Sequence, residues 1–142
     1  ALDGLAASLS SLKMKDEQIK ELKQINKQFA SFVAKENLQG SIKKDVEFHE
    51  VIYRSSGNEK LMQIVSNLRE QVQRFRVIYL KDYSSQKDIE SEHEEIIEAI
   101  ARRDPEAALN AAKKHIKNQE IGIINAIKKQ ETDYSFQGEK LW

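Results

Sequence analysis

Apolar residues recur at three- and four-residue intervals along almost the whole chain, and a single proline interrupts them. One run sets Ile19, Leu22, Ile25, Phe29, Phe32 and Val33 in a single stripe, whereas a half-buried strand would alternate every second residue. The spacing predicts amphipathic helices, each with one face against a shared core. A first helix is expected over Leu2 to Leu12, and a second from Asp16, as its N-cap, to near Asn37. A third runs from about Ser41 to Ser55, where Gly57 can take the left-handed conformation and Asn58 can cap the next helix. The fourth, from Glu59 to about Asp82, carries Leu61, Ile64, Val65, Leu68, Val72, Phe75 and Tyr79 and is long enough to cross a domain. The stretch "YSSQKD" is expected to break it before a fifth helix from about Asp88 to Arg102. The sixth starts sharply, with Asp104 as N-cap, Pro105 in first position and Glu106 in the first turn, and continues to about Gln130. These stripes, with short connections and no strand pattern, predict an all-α fold: an antiparallel bundle of six helices. Residues 1–130 form one domain, and 131–142 a C-terminal tail without a period.

At 142 residues the chain can bury a proper core without disulfides or metals as staples. Lys plus Arg and Asp plus Glu balance at 23 each, so no net charge draws these residues toward nucleic acid or a membrane surface, and no DNA-binding residue is nominated. The absence of cysteine excludes thiolate metal sites and agrees with a reducing compartment. No run of about 18 apolar residues and no charged-then-apolar leader is found, so a cytoplasmic protein without a membrane span or signal peptide is expected.

The three histidines, His49, His93 and His115, each fall on the apolar side of a different predicted helix. A lone inward histidine is ordinarily a hydrogen-bonded core residue. Here Asp45 joins the set, one helical turn before His49 and in line with Phe48 and Ile52. An unpaired buried carboxylate costs several kcal/mol, comparable with a domain's whole margin. A shared divalent cation would satisfy all four groups, and neutral imidazole and carboxylate suit zinc, nickel, manganese or iron. Other metal patterns fit less well: Glu90 and His93 supply only one Glu-x-x-His pair where a di-iron bundle uses two. No phosphate loop or Gly-x-Ser-x-Gly elbow occurs, and no catalytic residue is nominated.

In order along the chain stand "DVEFH", "SSGN", "SEHEEIIEAIARRDPEAA" and "KKHI". This combination resembles the FadR C-terminal domain (FCD) of GntR-type bacterial transcription regulators, over about Ala1 to Lys128. The resemblance implies an effector-binding and dimerisation domain of the shorter, six-helix kind rather than the seven-helix acyl-CoA-binding kind. By position it carries over Asp45, His49, His93 and His115 as ligands of a divalent metal whose coordination a small organic acid completes. It further implies a homodimer that reaches DNA only through an N-terminal winged helix-turn-helix absent from this chain, which is expected to be an isolated sensor domain rather than a stand-alone relative. Arg69 and Arg76 share a helix face with Val65, Val72 and Tyr79 and are expected to bind the effector carboxylate by a bidentate fork, Arg76 foremost. The rival readings are a metal-dependent enzyme on the same four residues, which lacks an evident general base because Glu50 and Glu94 point outward, and a plain helical dimerisation module.

Overall fold

A computed structural model describes the backbone of residues 1–80 and 83–140 and the side chains of residues 1–77 and 88–129. The described residues form six helices, α1 (Leu2–Lys13), α2 (Asp16–Ala34), α3 (Leu38–Ser55), α4 (Glu59–Leu80), α5 (Tyr83–Ala101) and α6 (Pro105–Lys140), with no strand. The all-α bundle expected from the stripes is the fold found. Among the described residues no helix is long and apolar enough to cross a membrane.

The stripes became the core. On α2, Ile19, Leu22, Ile25 and Phe29 are buried while Lys20, Glu21 and Lys23 stay in solvent, and the buried face packs on α3 and α5. Small residues bring α1 and α6 together: Gly4, Ala6 and Ala7 face a helix that buries Ala108 and Ala112. A Cβ at Gly4 would stand 3.3 Å from the Leu109 carbonyl oxygen and 2.8 Å from Lys113 Cγ, so the two backbones lie about as close as they can. That closeness presents α6 to the middle of the bundle, where His115 sits. Leu22, Phe48, Ile96 and Ile100 complete the centre.

Several boundaries follow the expected chemistry. Gly57 takes φ +70° after α3. Asn58 Oδ1 then accepts from the Leu61 N–H at 3.0 Å, and Asp104 Oδ1 accepts from the Ala107 N–H at 3.0 Å.

Others differ. Asp16 is the first residue of α2 rather than its cap; Lys15 holds that position, and its N–H donates to Gln18 Oε1 at 3.0 Å. The third helix begins at Leu38 instead of about Ser41, because Asn37 Oδ1 accepts from the Gly40 N–H at 2.9 Å and so caps it. The stretch "YSSQKD" contains neither Gly nor Pro and does not keep the chain out of a helix until Asp88; α5 already begins at Tyr83. For the same reason nothing stops α6 at Gln130, and its backbone stays helical to Lys140. The side chains of Tyr79 and of residues 131–142 lie outside those described.

Replacing Asp104 by Ala removes the cap of the helix that carries His115. We expect a loss of about 0.5–2 kcal/mol in urea unfolding followed by circular dichroism; an unchanged midpoint would show that the cap contributes nothing.

Candidate metal centre

Three helices converge on one point. α3 presents Asp45 and His49 a single turn apart, α5 presents His93 and α6 presents His115, and all four side chains are buried. One donor atom from each lies within 4.8 Å of every other, so the group could hold a metal ion. An ion with ligand bonds of about 2.0–2.2 Å sets its donors within roughly 4.4 Å of one another, so only a few tenths of an ångström separate this arrangement from a closed coordination sphere.

Hydrogen bonding tests the fit. Asp45 Oδ1 and the Nε2 atoms of His49, His93 and His115 are all buried without a hydrogen-bond partner among the described residues. Those four atoms are one donor from each of the four residues. Nε2 of His49 and of His93 each stands 3.4 Å from Asp45 Oδ1, without the alignment of a hydrogen bond.

The opposite ring edges explain why. His93 Nδ1 lies 3.0 Å from Asn26 Oδ1. The Asn26 amide is oriented by its own donation from Nδ2 to the Glu90 carbonyl at 3.2 Å, so its oxygen must accept and His93 Nδ1 must donate. His115 Nδ1 donates to Glu92 Oε2 at 3.3 Å, an oxygen that also accepts from Asn118 Nδ2 at 3.1 Å. Both rings therefore carry their proton on Nδ1 and turn an Nε2 lone pair to the centre. Lone pairs facing a carboxylate oxygen at this range repel unless a cation stands between them, and carboxylate or amide partners behind the rings are the usual way a protein orients metal-binding imidazoles. The residues present fit a divalent cation.

Ring packing fixes His93 further. Phe48 stacks on it with centroids 3.9 Å apart and planes inclined by 14°, and Phe29 covers it at 5.5 Å. Burial is the main reason that all three histidines titrate below their ordinary value, His49 and His93 far below it; the neighbouring cations Arg69 and, for His93 and His115, Arg76 act in the same direction. For His115 the bond to Glu92 opposes that shift. Neutral imidazoles are what a metal requires.

The second oxygen of Asp45 is occupied. Oδ2 accepts from Arg76 Nη2 in a short contact and from Arg69 Nη2 at 3.5 Å. Both arginines expected to face inward do so, with Arg76 only 3% exposed. Burial lowers Arg76 to about 10, which leaves it a cation at neutral pH. Its Nη1 donates to Gln73 Oε1 at 3.0 Å, and its Nε has no partner among the described residues. Glu50 and Glu94 are exposed, as expected.

Two cavities adjoin the centre. One of about 10 Å³ lies beside His49 and His115, under Asp3, Tyr53 and Ile116; that is room for one water molecule. The other, a cleft of about 360 Å³, opens between α4 and α6 and includes Arg69, Arg76 and Gln119 in its lining. The sequence reading missed Asn26, Glu92 and Asn118 behind the rings. Asn26 had a legible signal, since it stands four residues after Leu22 and three before Phe29 on an otherwise apolar stripe. Glu92 and Asn118 had none, because only the packing of α5 on α6 pairs them.

The model of the FCD domain family matches residues 1–118. The solved structure of E. coli McbR/YncC is similar in fold, with a TM-score of 0.80 and 14% sequence identity over 87% of this chain. The chain spans 63% of the length of that one. No curated protein sequence matches.

The depressed histidines give a pH dependence of known sign. The unfolded chain binds protons at its imidazoles near pH 6.5 while the native state resists them, so stability falls as pH drops below about 6.5. Chelator-treated protein should melt at its highest temperature near pH 7–8 and progressively lower toward pH 5; a flat profile would contradict buried neutral imidazoles.

Proposed function

The chain belongs to the FCD domain family, and on that premise we propose that it is the effector-sensing domain of a GntR-type transcription regulator. In this reading Asp45, His49, His93 and His115 hold a divalent metal, zinc, nickel or manganese, and a small carboxylate metabolite binds beside it. The observation that carries the metal is the set of four unpartnered buried donors directed at one point. The bound cation would supply Lewis acidity and open positions for an anionic ligand.

The chain's own residues do the remaining work. Asn26 and Glu92 hold His93 and His115 in the tautomer that leaves Nε2 free. Arg76 and Arg69, both on α4, neutralise Asp45 and stand where an incoming carboxylate would compete for their donors. An acid that draws Arg76 away from Asp45 changes how α4 is tied to α3. A ligand shifts an equilibrium only by its difference in affinity for the two states, and this exchange supplies such a difference. The displacement of α4 would pass to a homodimeric partner and to a DNA-reading winged helix-turn-helix outside these residues. The regulatory character of the family favours sensing over catalysis, and the exposure of Glu50 and Glu94 gives the enzymatic alternative no support.

Two measurements test this reading. Wild-type protein should bind one equivalent of zinc, nickel or manganese and gain about 2.7 kcal/mol of stability at a hundredfold excess over Kd, whereas His93→Ala and His115→Ala should lose stoichiometric metal. A wild-type protein that purifies metal-free and is not stabilised by any of these ions would sink the site. In chelator competition, Glu92→Gln and Asn26→Leu, which keep side-chain volume, should weaken metal affinity by about 10- to 100-fold; unaltered affinity would remove their positioning role.

A further inference from the structure

The cleft between α4 and α6 has two kinds of wall. Val65, Leu68, Val72, Phe75, Ile116 and Ile123 make most of it apolar. Its polar lining includes two donors without a partner among the described residues, Arg76 Nε and Gln119 Nε2, on side chains that are 3% and 4% exposed. Gln119 lies one helical turn beyond His115 on α6, and Arg76 is already in contact with Asp45, so the donors lie at the end of the cleft next to the metal centre. A buried donor left unpaired carries a desolvation penalty that a ligand acceptor would relieve. Two of them in one cleft call for an acceptor such as a carboxylate.

We propose that the effector of this domain is an amphipathic monocarboxylic acid, whose carboxylate pairs with Arg76 and Gln119 and whose hydrocarbon or aryl tail fills the cleft between α4 and α6. This inference rests on the sensor reading above and specifies its ligand.

The charges around the cleft select one carboxylate. Along the described lining of the cleft Asp3 and Glu120 balance Arg69 and Arg76; Asp45, which both arginines contact, and a divalent cation together add one positive charge, and a single carboxylate neutralises that. Asp3 is itself engaged by the Tyr53 hydroxyl at 2.5 Å, and Glu120 stands exposed on the cleft lining. A second or third carboxylate would meet Asp3 or Glu120, with no further cation among the described residues that line the cleft. The volumes agree. The cavity beside His49 and His115 has room for about one water, so a branched polycarboxylate does not fit there, whereas about 360 Å³ in the cleft admits a chain of several carbons or an aromatic ring. Hydroxyl groups on the tail would be stripped of water against Val65, Val72 and Phe75 without new partners, which a site of this kind discriminates against.

The test is a titration of octanoate, phenylacetate, succinate and citrate into the zinc-loaded 142-residue chain, read by thermal shift and calorimetry and repeated with Val72→Glu and Gln119→Leu. Val72 is exposed at 44% on α4, so its replacement blocks the cleft without touching the core. Octanoate or phenylacetate should bind at least tenfold more tightly than succinate or citrate, and both variants, still helical by circular dichroism and still binding zinc, should lose at least tenfold in that affinity. If succinate or citrate binds more tightly, the ligand class is wrong while the sensor reading stands. Undiminished octanoate binding by both variants overturns the cleft as its seat. If none of the four acids binds the zinc-loaded protein, the monocarboxylate proposal fails; if zinc does not bind in the first place, the failure belongs to the metal reading instead.

Discussion

A carboxylate buried from water has to be neutralised, and the centre of this bundle is arranged around that requirement at Asp45. One of its oxygens takes guanidinium donors from α4, and the other faces imidazoles from α3 and α5. Removing one partner of a buried ion pair commonly costs about 3–5 kcal/mol, so α3 and α4 are tied by an interaction comparable with a small domain's margin of stability. On the function proposed above the same interaction is exchangeable: a competing anion at Arg76, or a cation at Oδ1, would alter the balance without breaking the apolar core around it.

The helices serve this centre in different ways. α1 contributes no donor but lets α6 approach through Gly4, Ala6 and Ala7, which sets the depth of His115. α2 contributes Asn26, whose amide is fixed by the Glu90 carbonyl and in turn fixes the His93 tautomer. α5 supplies both His93 and Glu92, adjacent in sequence but acting on different rings. α4 leaves Ile64, Leu68 and Val72 in solvent. It also carries the arginines, which makes it the helix best placed to respond to a ligand.

The fold was legible because helical periodicity is a local property. Each stripe needed only the spacing of its own residues, and Asp104, Pro105, Gly57 and Asn58 marked their boundaries through short-range hydrogen bonds and backbone preference. The boundaries misplaced at α5 and at the end of α6 share one cause, whereas those of α2 and α3 turned on which neighbouring residue caps the helix. Polar stretches such as "YSSQKD" read as breaks by composition, but without Gly or Pro they have no steric reason to leave the helix. Asp45 and the three histidines were legible as candidates because a polar group on an apolar stripe violates the pattern.

By itself, then, the sequence determined six amphipathic helices, an all-α bundle, and four inward polar side chains in want of a partner, since periodicity and the cost of burying charge need no coordinates. Only the tertiary structure decided that these four donors lie within 4.8 Å of one another, that Asn26 and Glu92 set the histidine tautomers, and that Arg76 and Gln119 line the same apolar cleft. Those facts depend on distances between helices far apart in the chain. A single sequence carries the pattern of each face but not the angle and depth at which two faces meet.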